Sequence, residues 1–188
     1  SSTYTLGDND VGNKMSVVVT YTDGHGTLET VSSGLTGVVA NVNDAPTGSV
    51  SITGTVTEDE TLTADTSTLA DADGLGAFSY QWQRAGVDIV GANSATYTLG
   101  DADVGSSISV DVRWTDGQGT AESVSSSPVG PVANVNDVPT GSVVITGTPT
   151  EDETLNADTS GLGDADGLGV FSYQWQRGGV DIAGANSA

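Results

Sequence analysis

The sequence repeats itself with a period of 93 residues. When the chain is aligned with itself at that offset, residues 48–95 and 141–188 are identical at 40 of 48 positions. Residues 1–47 and 94–140 are identical at 31 of 47. A period of this length corresponds to a whole domain, because solenoid repeats span only about 20 to 50 residues. The sequence therefore predicts an array of similar domains.

A stretch of the form Asn-Val-Asn-Asp-x-Pro-Thr-Gly, at 41–48 and 134–141, marks the predicted domain boundaries. Proline fixes the direction of the chain there, and glycine allows it to turn. We predict the C-terminal half of one repeat (1–44), a complete repeat (45–137) and the N-terminal half of a further repeat (138–188). We expect either a window of a longer array or a protomer whose halves complete each other between chains.

The charge of the chain excludes several classes of function. It carries 25 acidic and 4 basic side chains, a formal net charge of −21, no cysteine and one histidine. Disulfides and cysteine-ligated zinc are excluded, and nucleic acid and acidic lipid are unsuitable partners because phosphates require clustered Lys and Arg. No apolar run approaches the roughly 20 residues of a membrane helix, so direct membrane insertion is not expected. The expected small partners are cations.

Apolar residues alternate with polar ones in the complete repeat, a pattern that predicts β-strands. Every second residue is apolar in 78–82 and in 108–114, and the equivalent positions of 15–21 are apolar in the first copy. Seven strands are predicted, at 48–56, 60–66, 77–84, 86–90, 95–99, 106–115 and 119–126. Seven short strands with a tryptophan in the third predict an all-β fold of tandem immunoglobulin-like antiparallel β-sandwiches.

The acidic residues of the complete repeat are concentrated in a few turns and in the linker. They cluster at 58–60, 71–73, 101–103, 116 and 136–137. Carboxylates two residues apart in a tight turn can face one cation, and Ca²⁺ takes about 6 to 8 oxygen ligands. Since no single cluster supplies that number, we expect loops and linker to converge on Ca²⁺ where successive domains meet.

The chain resembles a known family in the runs Tyr-Gln-Trp-Gln-Arg (80–84), Val-Asp-Ile (87–89), Tyr-Thr-Leu-Gly-Asp-Ala-Asp-Val-Gly (97–105) and Asn-Val-Asn-Asp (134–137). Over essentially its whole length it is similar to the tandem Ig-like or cadherin-like repeats of giant bacterial surface proteins. Many of those proteins are calcium-dependent adhesins of the type I-secreted, repeats-in-toxin class. The resemblance implies an extracellular location, at the bacterial surface or secreted, with neighbouring repeats as partners.

The resemblance to cadherins also implies a set of calcium ligands at each domain junction. The first set comprises Asp8, Asp10, Asn43, Asp44, Asp71, Asp73 and Asp116. The second set comprises Glu58, Asp101, Asp103, Asn136, Asp137, Asp164 and Asp166. The chain departs from cadherins in lacking a Leu-Asp-Arg-Glu motif, which is replaced by Leu-Gly-Asp-Asn-Asp at 6–10 and by Leu-Gly-Asp-Ala-Asp at 99–103.

Each acidic cluster also has a purely structural interpretation. The Asp-Gly pairs at 23–24 and 116–117 are typical hairpin turns, and the acids at 58–60 can protect a strand edge from pairing. For 71–73 together with the linker we favour calcium, because carboxylates held this close repel each other strongly without a cation.

Other residue types do not indicate catalysis. Lys14 and His25 are replaced by Ser107 and Gln118 in the second copy, so neither belongs to the repeated design. The alternating tryptophans are expected in the core rather than in a sugar-binding site. No nucleophile with a base in reach is recognisable, and no enzymatic activity is predicted.

Three functions follow from these observations. The first is a calcium-rigidified structural spacer of an extracellular bacterial adhesin or surface fibre, supporting cell adhesion and biofilm formation. The second is the protomer of a self-assembling extracellular filament, built by complementation of half-domains between chains. The third is a glycan- or ice-binding module, suggested by the abundance of Ser and Thr.

Overall fold

A computed structural model describes residues 1–186 as two compact units, Ser1–Ala133 and a second unit that begins at Asn134. Nearly all regular structure is antiparallel β-structure, which confirms the predicted all-β class. In this part of the chain no helix has the length and apolar character needed to cross a membrane.

The first unit contains nine strands in three sheets. Its strands are β1 (Val18–Thr22), β2 (Leu28–Ser32), β3 (Ser51–Thr53), β4 (Thr61–Asp65), β5 (Ser79–Arg84), β6 (Val87–Asp88), β7 (Thr96–Thr98), β8 (Ile108–Thr115) and β9 (Ala121–Ser125). The sheets have the orders β1-β2, β3-β4-β7 and β6-β5-β8-β9. All seven strands predicted for the complete repeat are present, each shorter than its predicted range.

The described part of the second unit contains two pairs of antiparallel strands. Its strands are β10 (Val144–Thr146), β11 (Asn156–Asp158), β12 (Gln176–Arg177) and β13 (Val180–Asp181). Strand β10 pairs with β11, and β12 pairs with β13. The pairs repeat the registers of β3 with β4 and of β5 with β6, as the 93-residue period requires.

Residues from both larger sheets form one hydrophobic core. On β8, Ile108, Val110 and Val112 are fully buried, whereas the residues between them reach solvent, as the alternation predicts. Trp82 of β5 is also fully buried, and its Nε1 donates a hydrogen bond to the carbonyl oxygen of Ser94 at 2.9 Å. The predicted core role of this tryptophan is confirmed. The other buried residues of the core are Trp114 of β8, Leu62 and Ala64 of β4, and the loop residues Val50, Leu69, Leu99 and Val132.

The N-terminal half-repeat lacks such a core. Val17 and Val19, which correspond to the fully buried Val110 and Val112, are 57% and 54% exposed. In the complete repeat this face is covered because it packs in one core with Leu62 and Ala64 of β4, in the other sheet. Residues 1–44 contain no counterpart of β4, and the apolar face predicted to pack inward therefore remains open.

Truncation of Trp82 tests how far the complete repeat depends on this core. We expect Trp82→Ala to lower the free energy of unfolding by about 3–5 kcal/mol, since it removes a large buried side chain and leaves a cavity. The change is measurable by urea denaturation. Val87→Ala is the control, because Val87 is 69% exposed and its truncation should cost less than about 0.5 kcal/mol. Equal effects of the two substitutions would contradict the described core.

Candidate metal sites

Two acidic turns of the complete repeat lie side by side. In the first, the Asp73 N–H donates to Oδ1 of Asp71 at 2.9 Å, and the Gly74 N–H donates to the Asp71 carbonyl at 3.1 Å. The second joins β8 to β9, and its Gly117 N–H donates to the carbonyl oxygen of Asp73 at 3.0 Å. A Cβ atom on residue 117 would lie 2.5 Å from that oxygen. Glycine therefore allows the two turns to approach each other.

Asp116 begins the second turn, and its buried carboxylate has one oxygen that forms no hydrogen bond with the described residues. It is only 6% exposed, and its Oδ1 accepts hydrogen bonds from the N–H groups of Gln118 and Thr120, both at 2.8 Å. Burial raises the pKa of Asp116, but backbone hydrogen bonds from Thr120, Gln118 and Gly119 outweigh it and hold the pKa below its ordinary value. The buried Oδ2 has no hydrogen-bond partner among the described residues. Asp116 thus serves as a turn residue through one oxygen and leaves the other available to a cation.

The carboxylates of the first turn are similarly placed. Asp73 is 8% exposed, and its Oδ2 accepts a hydrogen bond from the N–H of Asp44 at 2.9 Å. Oδ2 of Asp71 is buried and, within residues 1–186, has no hydrogen-bond partner. Since buried polar atoms are normally paired, two such oxygens on adjoining turns indicate a position for a ligand.

Asp44, in the linker, interacts electrostatically with this cluster. Its pKa is raised above the ordinary value by the negative charge of Asp8, then by burial, and then by the charges of Asp73 and Asp71. Four carboxylates of the first predicted set, those of Asp8, Asp44, Asp71 and Asp73, therefore interact electrostatically through Asp44. A cation at this position would reduce the repulsion that they exert on Asp44.

The linker is tied to the sheet by a residue that the sequence reasoning missed. Nδ2 of Asn43 donates to Oε1 of Glu122, on β9, at 2.8 Å, and to the carbonyl oxygen of Asp44 at 3.2 Å. The first copy has Glu29 at the position equivalent to Glu122, so its recurrence could have drawn attention to it. Asn43 therefore positions the linker through its amide nitrogen.

A second acidic group contains Glu58 and Asp101. Glu58 is 2% exposed, and one of its carboxylate oxygens lies within 4.8 Å of an Asp101 oxygen. Two unit charges at that separation repel by about 3 kcal/mol at an effective dielectric constant of about 20.

Backbone geometry sets Glu58 apart from the other acids in its run. The N–H of Glu58 donates to the carbonyl of Ala133, and the N–H of Asp59 donates to the carbonyl of Leu99. Asp59 has a φ of 65°, a left-handed conformation that aspartate adopts more readily than most residues. Glu58 is buried, whereas Asp59 and Glu60 are exposed. The run 58–60 thus contributes one buried carboxylate.

The paired acids at 101 and 103 have different environments. They lie in a short 3₁₀ helix, Asp101–Asp103, and Asp103 is 1% exposed. Oδ1 of Asp103 accepts from Nε of Arg84 at 2.6 Å, and its Oδ2 accepts from the Tyr97 hydroxyl at 2.8 Å and the Gly100 N–H at 3.0 Å. Burial, and next the hydrogen bond to Asp103, raises the pKa of Tyr97. Both oxygens of Asp103 are thus engaged within the repeat, and we leave it out of the proposed ligand set.

Asp10 repeats this arrangement in the first copy. It accepts hydrogen bonds from the Tyr4 hydroxyl, at 3.1 and 3.2 Å, and from the Gly7 N–H at 2.9 Å. The hydrogen bond to Asp10 is the largest cause that raises the pKa of Tyr4. In the pair Asp8 and Asp10, it is Asp8 that interacts with another carboxylate, that of Asp44. The carboxylate of Asp10 is engaged by Tyr4 and Gly7, and Asp10 is therefore not among the proposed ligands.

The second unit reproduces the linker geometry. The Asp137 N–H donates to Oδ2 of Asp166 at 2.9 Å, and the Asp166 N–H donates to Oδ1 of Asp164 at 3.0 Å. Nδ2 of Asn136 donates to the carbonyl oxygen of Asp137 at 2.8 Å. These contacts match those of Asp44, Asp73 and Asp71, so the arrangement follows from the repeated sequence.

The chemistry of these sites suits a hard cation. Their donors are carboxylate oxygens, which favour Ca²⁺ or Mg²⁺, whereas imidazole and thiolate ligands favour transition metals. No protein-family model, no curated protein and no solved structure matches the chain.

Substitution of Asp44 tests the repulsion within the first group. Because the folded-state pKa of Asp44 is raised, the folded chain binds more protons than the unfolded chain, and stability falls as the pH rises through this window. We therefore expect Asp44→Asn to raise the melting temperature in EDTA at pH 7. The gain should disappear near pH 3, below the ordinary aspartate pKa of about 3.9.

The matched control is Asp88→Asn, which removes an exposed charge of β6 while keeping an oxygen that can accept from Gln83. Melting is followed by circular dichroism at both pH values. An equal gain for the two variants at pH 7 would show that general charge reduction, and not local repulsion at Asp44, is responsible.

Proposed function

We propose that the complete repeat is an immunoglobulin-like β-sandwich and that such repeats follow one another in tandem. The sheet orders β3-β4-β7 and β6-β5-β8-β9 support this proposal, because Ig-like domains pack two antiparallel sheets of this size over a shared core. A fully buried tryptophan on β5, the third strand of the repeat, is a further feature of such domains.

We propose that the acidic turns and linkers bind Ca²⁺. The observation that carries this proposal is the carboxylate of Asp116, which is only 6% exposed. Its Oδ2 has no hydrogen-bond partner among the described residues. Asp71 presents a second such oxygen on the adjoining turn. Ca²⁺ fits better than Mg²⁺, because it accepts an irregular shell of about 6 to 8 oxygens and Mg²⁺ requires near-ideal octahedral geometry.

The proposed ligands recur with the period of the chain. The proposed site of the first unit uses Asp8, Asp44, Asp71, Asp73 and Asp116. One period later the sequence has Asp101 for Asp8, Asp137 for Asp44, and Asp164 for Asp71, so the same acidic residues recur. Asn43 and Asn136 support the linkers through their amide groups.

We propose that the protein is a mechanical spacer of an extracellular bacterial adhesin or surface fibre, without enzymatic activity. The net charge of −21 makes neighbouring acidic turns repel, and bound calcium would neutralise them and stiffen the linkers. Calcium would thereby stabilise the repeats in the way that disulfides stabilise other secreted domains, and this chain has no cysteine with which to form disulfides. Near-identical repeats favour a spacer over a specific ligand-binding module.

Calcium titration of Asp116→Asn tests the proposed metal site. We expect the substitution to weaken calcium affinity by about 10-fold or more, because it removes a charged ligand from a buried position. Isothermal titration calorimetry measures the affinity, and Asp88→Asn provides a control of equal charge on β6. If Asp116→Asn binds calcium as well as the control, or if the unsubstituted protein binds none, the proposed site is wrong.

Calcium should also stabilise and stiffen the chain. At a free concentration of about 100 times the dissociation constant, binding to the folded state adds about 2.7 kcal/mol per site. We expect a higher melting temperature in millimolar calcium than in EDTA, and X-ray scattering should show reduced flexibility. Sodium chloride of equal ionic strength separates screening from binding. Identical melting and scattering in calcium and in EDTA would contradict the spacer mechanism.

A further inference from the structure

We propose that Glu122 is a positioning residue of the calcium site. Through Asn43 it keeps the linker on the repeat 45–133, in the conformation that binds the ion, before the ion binds. The inference rests on the proposed function, because it concerns the same site. It adds a residue that is not a ligand, and it assigns the anchoring of the linker to a contact between two side chains instead of to calcium.

The hairpin formed by β8 and β9 carries two acids with different partners. Asp116 begins its turn and offers the buried Oδ2 to the proposed ion. Glu122 follows the turn on β9, lies opposite Trp114 of β8 and is half-buried. Because the register of the two paired strands is fixed, the sheet sets the position of Glu122 relative to Asp116. The linker therefore contacts the same rigid hairpin that presents a proposed ligand.

Two consecutive residues of the linker are bonded to this repeat. Nδ2 of Asn43 donates to Oε1 of Glu122 at 2.8 Å, and the N–H of Asp44 donates to Oδ2 of Asp73 at 2.9 Å. The two acceptors belong to separate segments, β9 and the first acidic turn, so the bonds together fix the direction of the linker as well as its position. The acceptor of Asn43 is a carboxylate, which makes this bond stronger than one between neutral groups.

These bonds determine where the carboxylate of Asp44 lies. It interacts electrostatically with Asp8, Asp73 and Asp71, and without a cation these like charges repel it. The linker therefore needs an attachment that does not use this carboxylate, and Asn43 provides one. A ligand that is already in position loses less conformational entropy when the ion binds, which raises the affinity.

The residue types at both positions fit this role. The amide nitrogen of Asn43 donates to the carboxylate of Glu122, whereas an aspartate at position 43 would be repelled by it. One period away, Asn136 repeats Asn43 and Glu29 repeats Glu122. The period of the sequence therefore preserves both members of the pair.

The anchor also determines which part of the proposed junction calcium has to order. With Asn43 and Asp44 bonded to the repeat 45–133, the ion does not have to attach the linker to that repeat. It has to bring in Asp8, the proposed ligand that precedes the linker. We expect the linker to stay on 45–133 in EDTA, and calcium to order mainly the residues before Asn43.

Amide hydrogen exchange in EDTA, measured by NMR, tests the anchor in the absence of calcium. We expect the Asp44 N–H to be protected in the unsubstituted chain. Glu122→Ala should speed its exchange by about 5-fold or more, because the linker then leaves the sheet more often. Glu122→Gln keeps an oxygen that can accept from Asn43 and should restore most of the protection. An unprotected Asp44 N–H in the unsubstituted chain, or equal exchange rates in any two of the three proteins, would overturn the proposal.

Isothermal titration calorimetry with calcium tests the effect on the ion. We expect Glu122→Ala and Asn43→Ala each to weaken binding by about 3- to 10-fold, at or below the low end for outer-sphere partners of a metal because Asn43 is exposed. The double variant should bind no more weakly than the weaker single variant, since both substitutions remove one contact. Glu29→Ala removes an equal charge at the equivalent position of the first copy, and this control should bind like the unsubstituted chain.

The possible results distinguish this inference from the proposed function. No calcium binding by the unsubstituted chain would refute the proposed site itself. Calcium binding that Glu122→Ala leaves unchanged would refute only the role of Glu122. Losses that multiply in the double variant would show that Asn43 acts independently of Glu122, and would refute the proposed contact as well. The melting temperature of each variant in EDTA verifies that the repeat is folded.

Discussion

The pairing of β5 with β8 is the interaction on which the rest of the repeat depends. It joins the two halves of the 93-residue unit and places Trp82 beside Val110 on one buried face, which packs in a single core with residues of β4. Residues 1–44 contain no counterpart of β4 or β5, and there Val17 and Val19 are more than half exposed although they repeat buried positions. Apolar contacts between segments far apart in the chain therefore hold the two halves of the repeat together.

The acidic sites depend on this scaffold. The end of β8 leads into the turn of Asp116, and the approach of Gly117 to the carbonyl of Asp73 aligns that turn with the Asp71–Gly74 turn. Carboxylates that would repel each other are thereby held at fixed positions, at a cost in stability that a cation can offset. Without metal this negative charge opposes close packing of the acidic turns. The same charge would attract Ca²⁺ and so favour the proposed stiffening of the linkers.

Most of the strand structure was predictable from alternation, whereas the fine assignment of acids was not. The Asp-x-Asp pairs at 71–73 and 101–103 have the same spacing. In the first pair both residues join the acidic cluster, but in the second the 3₁₀ helix directs Asp103 to Arg84 and Tyr97. Sequence spacing does not distinguish these outcomes, because the partners of Asp103 come from other strands.

The sequence alone determined the period, the all-β class, the approximate strand positions and the clustering of acids in turns and linkers, because these properties are local or repeat at a fixed offset. Only the tertiary structure decided which carboxylates come together, which oxygens are left without a protein partner, and that Glu122 anchors the linker through Asn43. Those features depend on distances between segments far apart in the chain, and such distances are set by the packing of the sheets.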